Sequence, residues 1–232
     1  YPTESGLIGD GVRKIVPLCS SLATAMKQSG WRQSEHLLKR VKAEVRTISQ
    51  ISASKSPQAK AGLPRAYKKL LDRSATILDR ARTLLKQAEA VAPHSPALTE
   101  LNEWIELTSQ VCDTAYRRMI LGEQVPNRDK LFSLFETHTQ LYRRGKAATP
   151  NQFGRLVLVF EDGAGFISHY HLMDREATDA DVVVEQTREA QRRHHGAIQT
   201  ASFDRGFYSP ENERQLQTIV EEACVPPRHP KQ

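Results

Sequence analysis

Apolar residues recur at steps of three and four along the first half of the chain. In "SEHLLKRVKAEVRTISQI", Leu37, Val41, Val45, Ile48 and Ile51 fall on one stripe, with Lys39, Lys42 and Arg46 off it. That is the period of an amphipathic helix, with Ser34 placed to cap it. "SKSPQAKAGLPR" interrupts the pattern. A longer helix is predicted over 66–92, with Leu70, Ile77, Leu78, Ala81, Leu84, Leu85 and Ala88 on one side. "APHSPA" stops it, and Ser95-Pro96 opens another helix through Trp104, Leu107, Val111 and Ala115. No repeat of fixed period is present, so this half reads as a helical bundle or hairpin array.

The period shortens after "GEQVPNRD". Three stretches read as strands: the aromatic "KLFSLFE" at 130–136, the β-branched "RLVLVFE" at 155–161, and "GFISHYHLM" at 165–173. Gly163-Ala164-Gly165 between the last two predicts an antiparallel hairpin. A helix over 179–194, a strand "AIQTASF" and a helix from Ser209-Pro210 follow. Strand, strand, strand, helix, strand, helix is the opening order of an RNase H-like sheet, and several α/β folds share it. The expected class is α+β: an RNase H-like mixed sheet with flanking helices and a large all-helical insertion on the N-terminal side. The expected domains are a basic helical region over 1–126 and a partial RNase H-like core over 127–232.

Charge sharpens this division. Residues 1–130 carry 21 Lys and Arg against 13 Asp and Glu, a net of +8, and residues 131–232 carry 12 against 14, a net of −2. Over 27–86 there are 15 bases and 4 acids. A field of that sign suits a polyanion, most often nucleic acid, and a solvated helical surface is the plainer alternative. No stretch approaches the ~18 apolar residues of a membrane span, and no secretory signal is recognisable. The expected compartment is the cytosol, with no membrane partner. Cys19, Cys112 and Cys224 are odd in number and lack CxxC spacing, which argues against disulfides or a zinc knuckle and predicts buried small side chains. The chain opens at Tyr1 and ends in "VPPRHPKQ", and the expectation is a fragment.

The stretch "QTASFDRGFYSPEN", residues 199–212, ends its predicted strand in Asp204. A carboxylate at the C-terminal end of a strand projects where loops and helix N-termini form a cleft. Acids on neighbouring strands can there share divalent cations, which take oxygen ligands. An isolated Asp-Arg-Gly is also a common turn. His169 and His171, two apart on one strand, share a face but have no third ligand at convincing spacing. Asp162 reads as a hairpin-turn residue and Asp179 as a helix cap. No Gly-rich phosphate loop, GxSxG elbow or Cys-His nucleophile pattern occurs.

"SFDRGFYSPEN" resembles the second-acid segment of bacterial insertion-sequence DDE transposases, where a strand ends in Asp and continues as Gly-aromatic-x-Ser-x-Glu/Asn. "KLFSLFETHTQLYRRGKAATPNQFGRLVLVFEDGAGFISHYHLM" is similar to a block of the ISNCY-type group, and "YPTESGLIGDGVR" resembles its "YPTDSGLL-DGVR" stretch. These three blocks, in order, cover both ends and most of the second half.

The resemblance implies a transposase with an RNase H-like core that cuts and joins DNA ends. It implies magnesium, or manganese, held by two Asp and a Glu, and a homo-oligomer on double-stranded DNA, at transposon ends and target. Asp204 matches the second Asp. In such proteins the first acid lies on an Asp-x-Thr strand just ahead of the "YPT" block, and the third on a helix well beyond the second. Both are expected outside this chain. Strand order alone offers Glu136 as a catalytic and metal-ligating acid. Glu4 stands where relatives carry Asp, and Glu221 and Glu222 read as helical surface residues. Arg144 and Lys146 match a "KGK" stretch and are expected to grip phosphates, and Lys39, Arg40, Lys42 and Arg46 are expected to contact transposon-end DNA.

Overall fold

The computed structural model describes residues 3–93, 95–143, 151–174 and 176–227. The protein mixes helices with small sheets, as the α+β expectation has it, and divides into two units, Tyr1–Phe153 and Gly154–Gln232.

The first unit is a bundle of α1 (Glu4–Ala25), α2 (Ser34–Ala53), α4 (Leu63–Glu89) and α5 (Pro96–Met119), with a single turn, α3 (Pro57–Ala61), between α2 and α4. Thr3 caps α1 by accepting from the Gly6 amide at 3.3 Å. The expected cap of α2 is shifted: Gln33 precedes the helix, and Ser34 is its first residue. α1 packs on α2, α4 and α5, and α4 packs on α2 and α5. Their apolar stripes meet in one core containing Ile8, Val12, Ile15, Val41, Ile48, Leu70, Ile77, Leu101 and Ile105. Gly11 lets α1 approach α5, because a Cβ there would lie 2.0 Å from the Thr108 hydroxyl.

Between α2 and α4 the core admits one ion pair. Arg73 Nε donates to both Glu44 carboxylate oxygens at 2.8 and 3.0 Å, and Arg73 Nη2 lies 2.7 Å from Oε1. The bidentate geometry satisfies a buried carboxylate that α2 would otherwise carry unpaired. Cys19 is buried and Cys112 half-buried, and desolvation pushes both thiols up to about 12. Cys224, also expected to be buried, is exposed, and all three cysteines are free.

The stretch at 130–136 is not a strand. After a 3-10 turn at Asn127–Asp129 the chain bends, and the Ser133 hydroxyl accepts from the Phe135 and Glu136 amides at 3.2 and 3.0 Å. That local bonding competes with any ladder. The apolar residues serve the bundle instead: Leu134 joins its core, Leu131 packs against it, and Phe135 meets Trp104 edge-on at 5.4 Å. The helical unit therefore extends past residue 126, where the sequence placed the boundary. β1 (Gln140–Arg143) follows and pairs with β2 (Asn151–Gly154).

The second unit begins with the expected hairpin. β3 (Val157–Glu161) pairs antiparallel with β4 (Ile167–Leu172), with Val157 opposite Leu172 and Val159 opposite Tyr170. Asp162 closes the turn as expected: its carboxylate accepts from the Ala164 and Phe166 amides, both at 2.9 Å. The Phe166 and Ala164 amide bonds hold its pKa below the ordinary range. α6 (Asp179–Arg193) follows, then β5 (Thr200–Ser202), a 3-10 turn (Arg205–Phe207), α7 (Pro210–Leu216) and β6 (Glu222–Cys224). β5 and β6 are parallel and joined through α7, the connection that parallel strands require. Glu222 thus opens a strand, and the helical reading of Glu221 and Glu222 is corrected. Thr178, not Asp179, precedes α6, and its amide donates to Asp181 at 2.8 Å. Val183, Leu216 and Val225 form the core of this unit, with Phe203 and Phe207 packed on it.

Candidate functional site

Asp204 stands two residues beyond β5, after Phe203, and directly precedes the 3-10 turn, where its backbone is extended at φ −69° and ψ 159°. The plain turn reading has the carboxylate capping that turn, and it makes no such bond. The backbone closes the turn by itself, the Phe207 amide donating to the Asp204 carbonyl at 3.1 Å. Among the described residues the exposed Asp204 carboxylate has no hydrogen-bond or ion-pair partner.

The carboxylate lines a cavity of about 1520 Å³ within the second unit. Residues 158–162 of β3 and its turn and 200–202 of β5 all line this cavity. Successive strand residues point to opposite faces, so a wall made of consecutive residues is a strand's edge. Among the described residues β3 is paired only with β4, and β5 only with β6, which leaves each with one open edge. Among the described residues, every charged one of the lining is acidic: Glu161, Asp162, Asp204, Glu221 and Glu222. Such a lining attracts cations and repels phosphate.

The two sequence-predicted acids fall in different units. Glu136 lies in the exposed bend after Ser133, where its carbonyl accepts from the Thr139 amide at 2.9 Å. The strand order that singled it out does not exist. A magnesium ion takes about six oxygens in near-octahedral array, usually from one or two carboxylates with waters and substrate phosphates. Among the described residues no group of three His, Cys, Asp or Glu side chains is placed to hold a metal. The described residues alone therefore do not fit a divalent-ion centre. Glu4 is engaged elsewhere, paired with Arg118 across α1 and α5 at 2.8 Å. His169 turns inward, its Nε2 3.0 Å from Gln186 Oε1 on α6.

Lys39, Arg40, Lys42 and Arg46 are all exposed on α2. Lys39, Lys42 and Arg46, at steps of three and four, stand opposite buried Val41 and Ile48. Arg40 lies to one flank of this row. On the neighbouring α4, Lys68, Arg73 and Arg82 are paired with Asp72, Glu44 and Asp79. The four α2 cations have no acidic partner among the described residues. Arg144 and Lys146 lie outside the described residues.

Asn212 is the residue that sequence reasoning missed. Its side chain fixes the turn behind Asp204, bonded to Phe207 O at 3.0 Å and to Ala180 O at 2.7 Å. The only sequence signal was its place after Ser209-Pro210 in the "SPEN" stretch.

Comparison of the chain with protein-family models, with curated proteins and with solved structures finds no match. No helix among the described residues is long and apolar enough to cross a membrane.

Proposed function

We propose that this chain is part of a DDE-type DNA transposase, with Asp204 as one of its catalytic acids. The observation that carries the reading is the Asp204 carboxylate just past a strand end, without a partner among the described residues and lining an acid-walled cavity beside two strand edges that no described strand pairs. A further strand between β3 and β5 would join the hairpin and the β5–α7–β6 pair into one mixed sheet. That is the RNase H-like arrangement, with Asp204 at the mouth beside the added strand. In the family that the "YPT" block resembles, a strand bearing the first acid precedes that block. Magnesium or manganese is the expected cofactor. Glu136 remains an acid to test, without the strand argument that first named it.

The α2 row supports a DNA partner in the helical unit, because exposed cations on one helix, with no acidic partner among the described residues, can replace counterions on phosphates. Changing Lys39, Arg40, Lys42 and Arg46 together to Gln is expected to weaken binding to transposon-end DNA. The slope of log K against log salt should flatten by about 0.9 for each phosphate that the variant no longer neutralises. Binding assayed across a salt series checks this, and unchanged affinity and slope would remove α2 from the interface.

The class is tested with a labelled two-ended substrate, full-length protein and magnesium. Joined products identify strand transfer. Cut but unjoined ends would point to a nuclease of the same fold, and binding indifferent to magnesium, with intact substrate, to a DNA-binding helical protein whose sheet is a scaffold.

A further inference from the structure

We propose that Asn212 is the positioning residue for Asp204, an inference that rests on the catalytic reading of Asp204. The strand before Asp204 is only three residues long, and the chain leaves it through a single 3-10 turn. So short a support does not by itself hold a carboxylate to the tolerance that chemistry requires. The turn is tied down from behind. Asn212 sits in the first turn of α7, where the Ser209 hydroxyl accepts its amide N–H at 3.0 Å. Both side-chain Nδ2 hydrogens are used: one bonds Phe207 O in the turn, and the other Ala180 O in the first turn of α6. One planar amide therefore joins three elements. Its orientation is fixed by those partners, since the flipped amide would face two carbonyls with its own oxygen.

The same turn lies against α6 at a second point, where a Cβ on Gly206 would lie 2.8 Å from Asp179 Oδ2, so a larger residue there would turn that carboxylate aside. The joint holds the turn by its backbone and leaves the Asp204 side chain unbonded among the described residues. That is what a group poised to bind something else requires, and a hydrogen bond from Asn212 to the carboxylate itself would have occupied it.

The test compares Asn212→Ala and the near-isosteric Asn212→Asp, which sets a carboxylate against the two carbonyls. In this chain, amide exchange at Phe207, whose N–H closes the turn, is expected to quicken about tenfold, with Val183 and Leu216 unchanged and Tm nearly so. In the full-length protein, kcat for DNA cleavage is expected to fall ~100-fold, with KM for DNA unchanged. Faster exchange throughout α7 and the core, with kcat reduced only by the loss of folded protein, would make Asn212 a structural residue and overturn the proposal. So would faster exchange at Phe207 with unchanged kcat, provided Asp204→Ala is inactive. If Asp204→Ala cleaves normally, the catalytic reading itself fails, whatever the exchange at Phe207.

Discussion

Gly11→Ala is expected to destabilise the helical unit by about 2 kcal/mol, despite placing a better helix former in α1. In an isolated helix Ala outdoes Gly by about 1 kcal/mol. Here the added Cβ would lie 2.0 Å from Thr108 Oγ1 and 3.0 Å from Thr108 Cβ and Cγ2. Thr108 is fully buried and β-branched, so rotating its side chain exchanges one clash for another. Overpacking of that kind costs about 3 kcal/mol, which outweighs the gain in propensity. Thermal unfolding followed by helical circular dichroism should show Tm falling by roughly 4–8 °C, at about 2–4 °C per kcal/mol for a unit of this size.

The second-site change distinguishes this cause from a general intolerance of α1. The Thr108 hydroxyl is buried without a partner, so removing it sacrifices no hydrogen bond. Gly11→Ala combined with Thr108→Ala should recover more than half of the lost stability. Unchanged Tm in the single variant, or no recovery in the double, would contradict the α1–α5 contact. The same contact gives the glycine in "GDGVR" a packing role that owes nothing to catalysis.

The helices were legible because their cores are built from repeating apolar steps. Leu70, Ile77, Leu78, Ala81, Leu84 and Leu85 all lie inside, as their spacing requires. The β3–β4 hairpin was legible from β-branched residues around a glycine turn, with Gly165 at φ +87°. Other features depended on partners distant in sequence. Glu44 reads as an exposed helix residue until Arg73, 29 positions on, meets it in the core. The aromatic run at 130–136 has strand composition, but its side chains pack on the bundle and Ser133 bends its backbone. β6 is three residues long and has no period to detect.

The site was legible only in part. Strand-end position made Asp204 a candidate, and its ambiguity with a turn residue lay in its hydrogen bonds, which sequence does not record. In the structure Asp204 stands at the head of a 3-10 turn, and its carboxylate makes no bond among the described residues. Glu136 shows the opposite outcome, because its candidacy rested on a strand that is absent. Asn212 was invisible because its two carbonyl partners, Ala180 and Phe207, lie 32 and 5 residues away on other elements.

The account stands most directly on Asp204→Ala, assayed for magnesium-dependent cleavage of labelled terminal-repeat DNA by the full-length protein. The exposed carboxylate has no described bond to lose, so the substitution should leave Tm and DNA affinity nearly unchanged. Removing an acid that acts at the reacting phosphate should lower kcat on the order of 10³-fold. Cleavage lost at undiminished DNA binding is the result this account predicts. Cleavage at the wild-type rate would contradict it, returning Asp204 to the surface of a turn and leaving the α2 cations as the remaining support for a DNA partner.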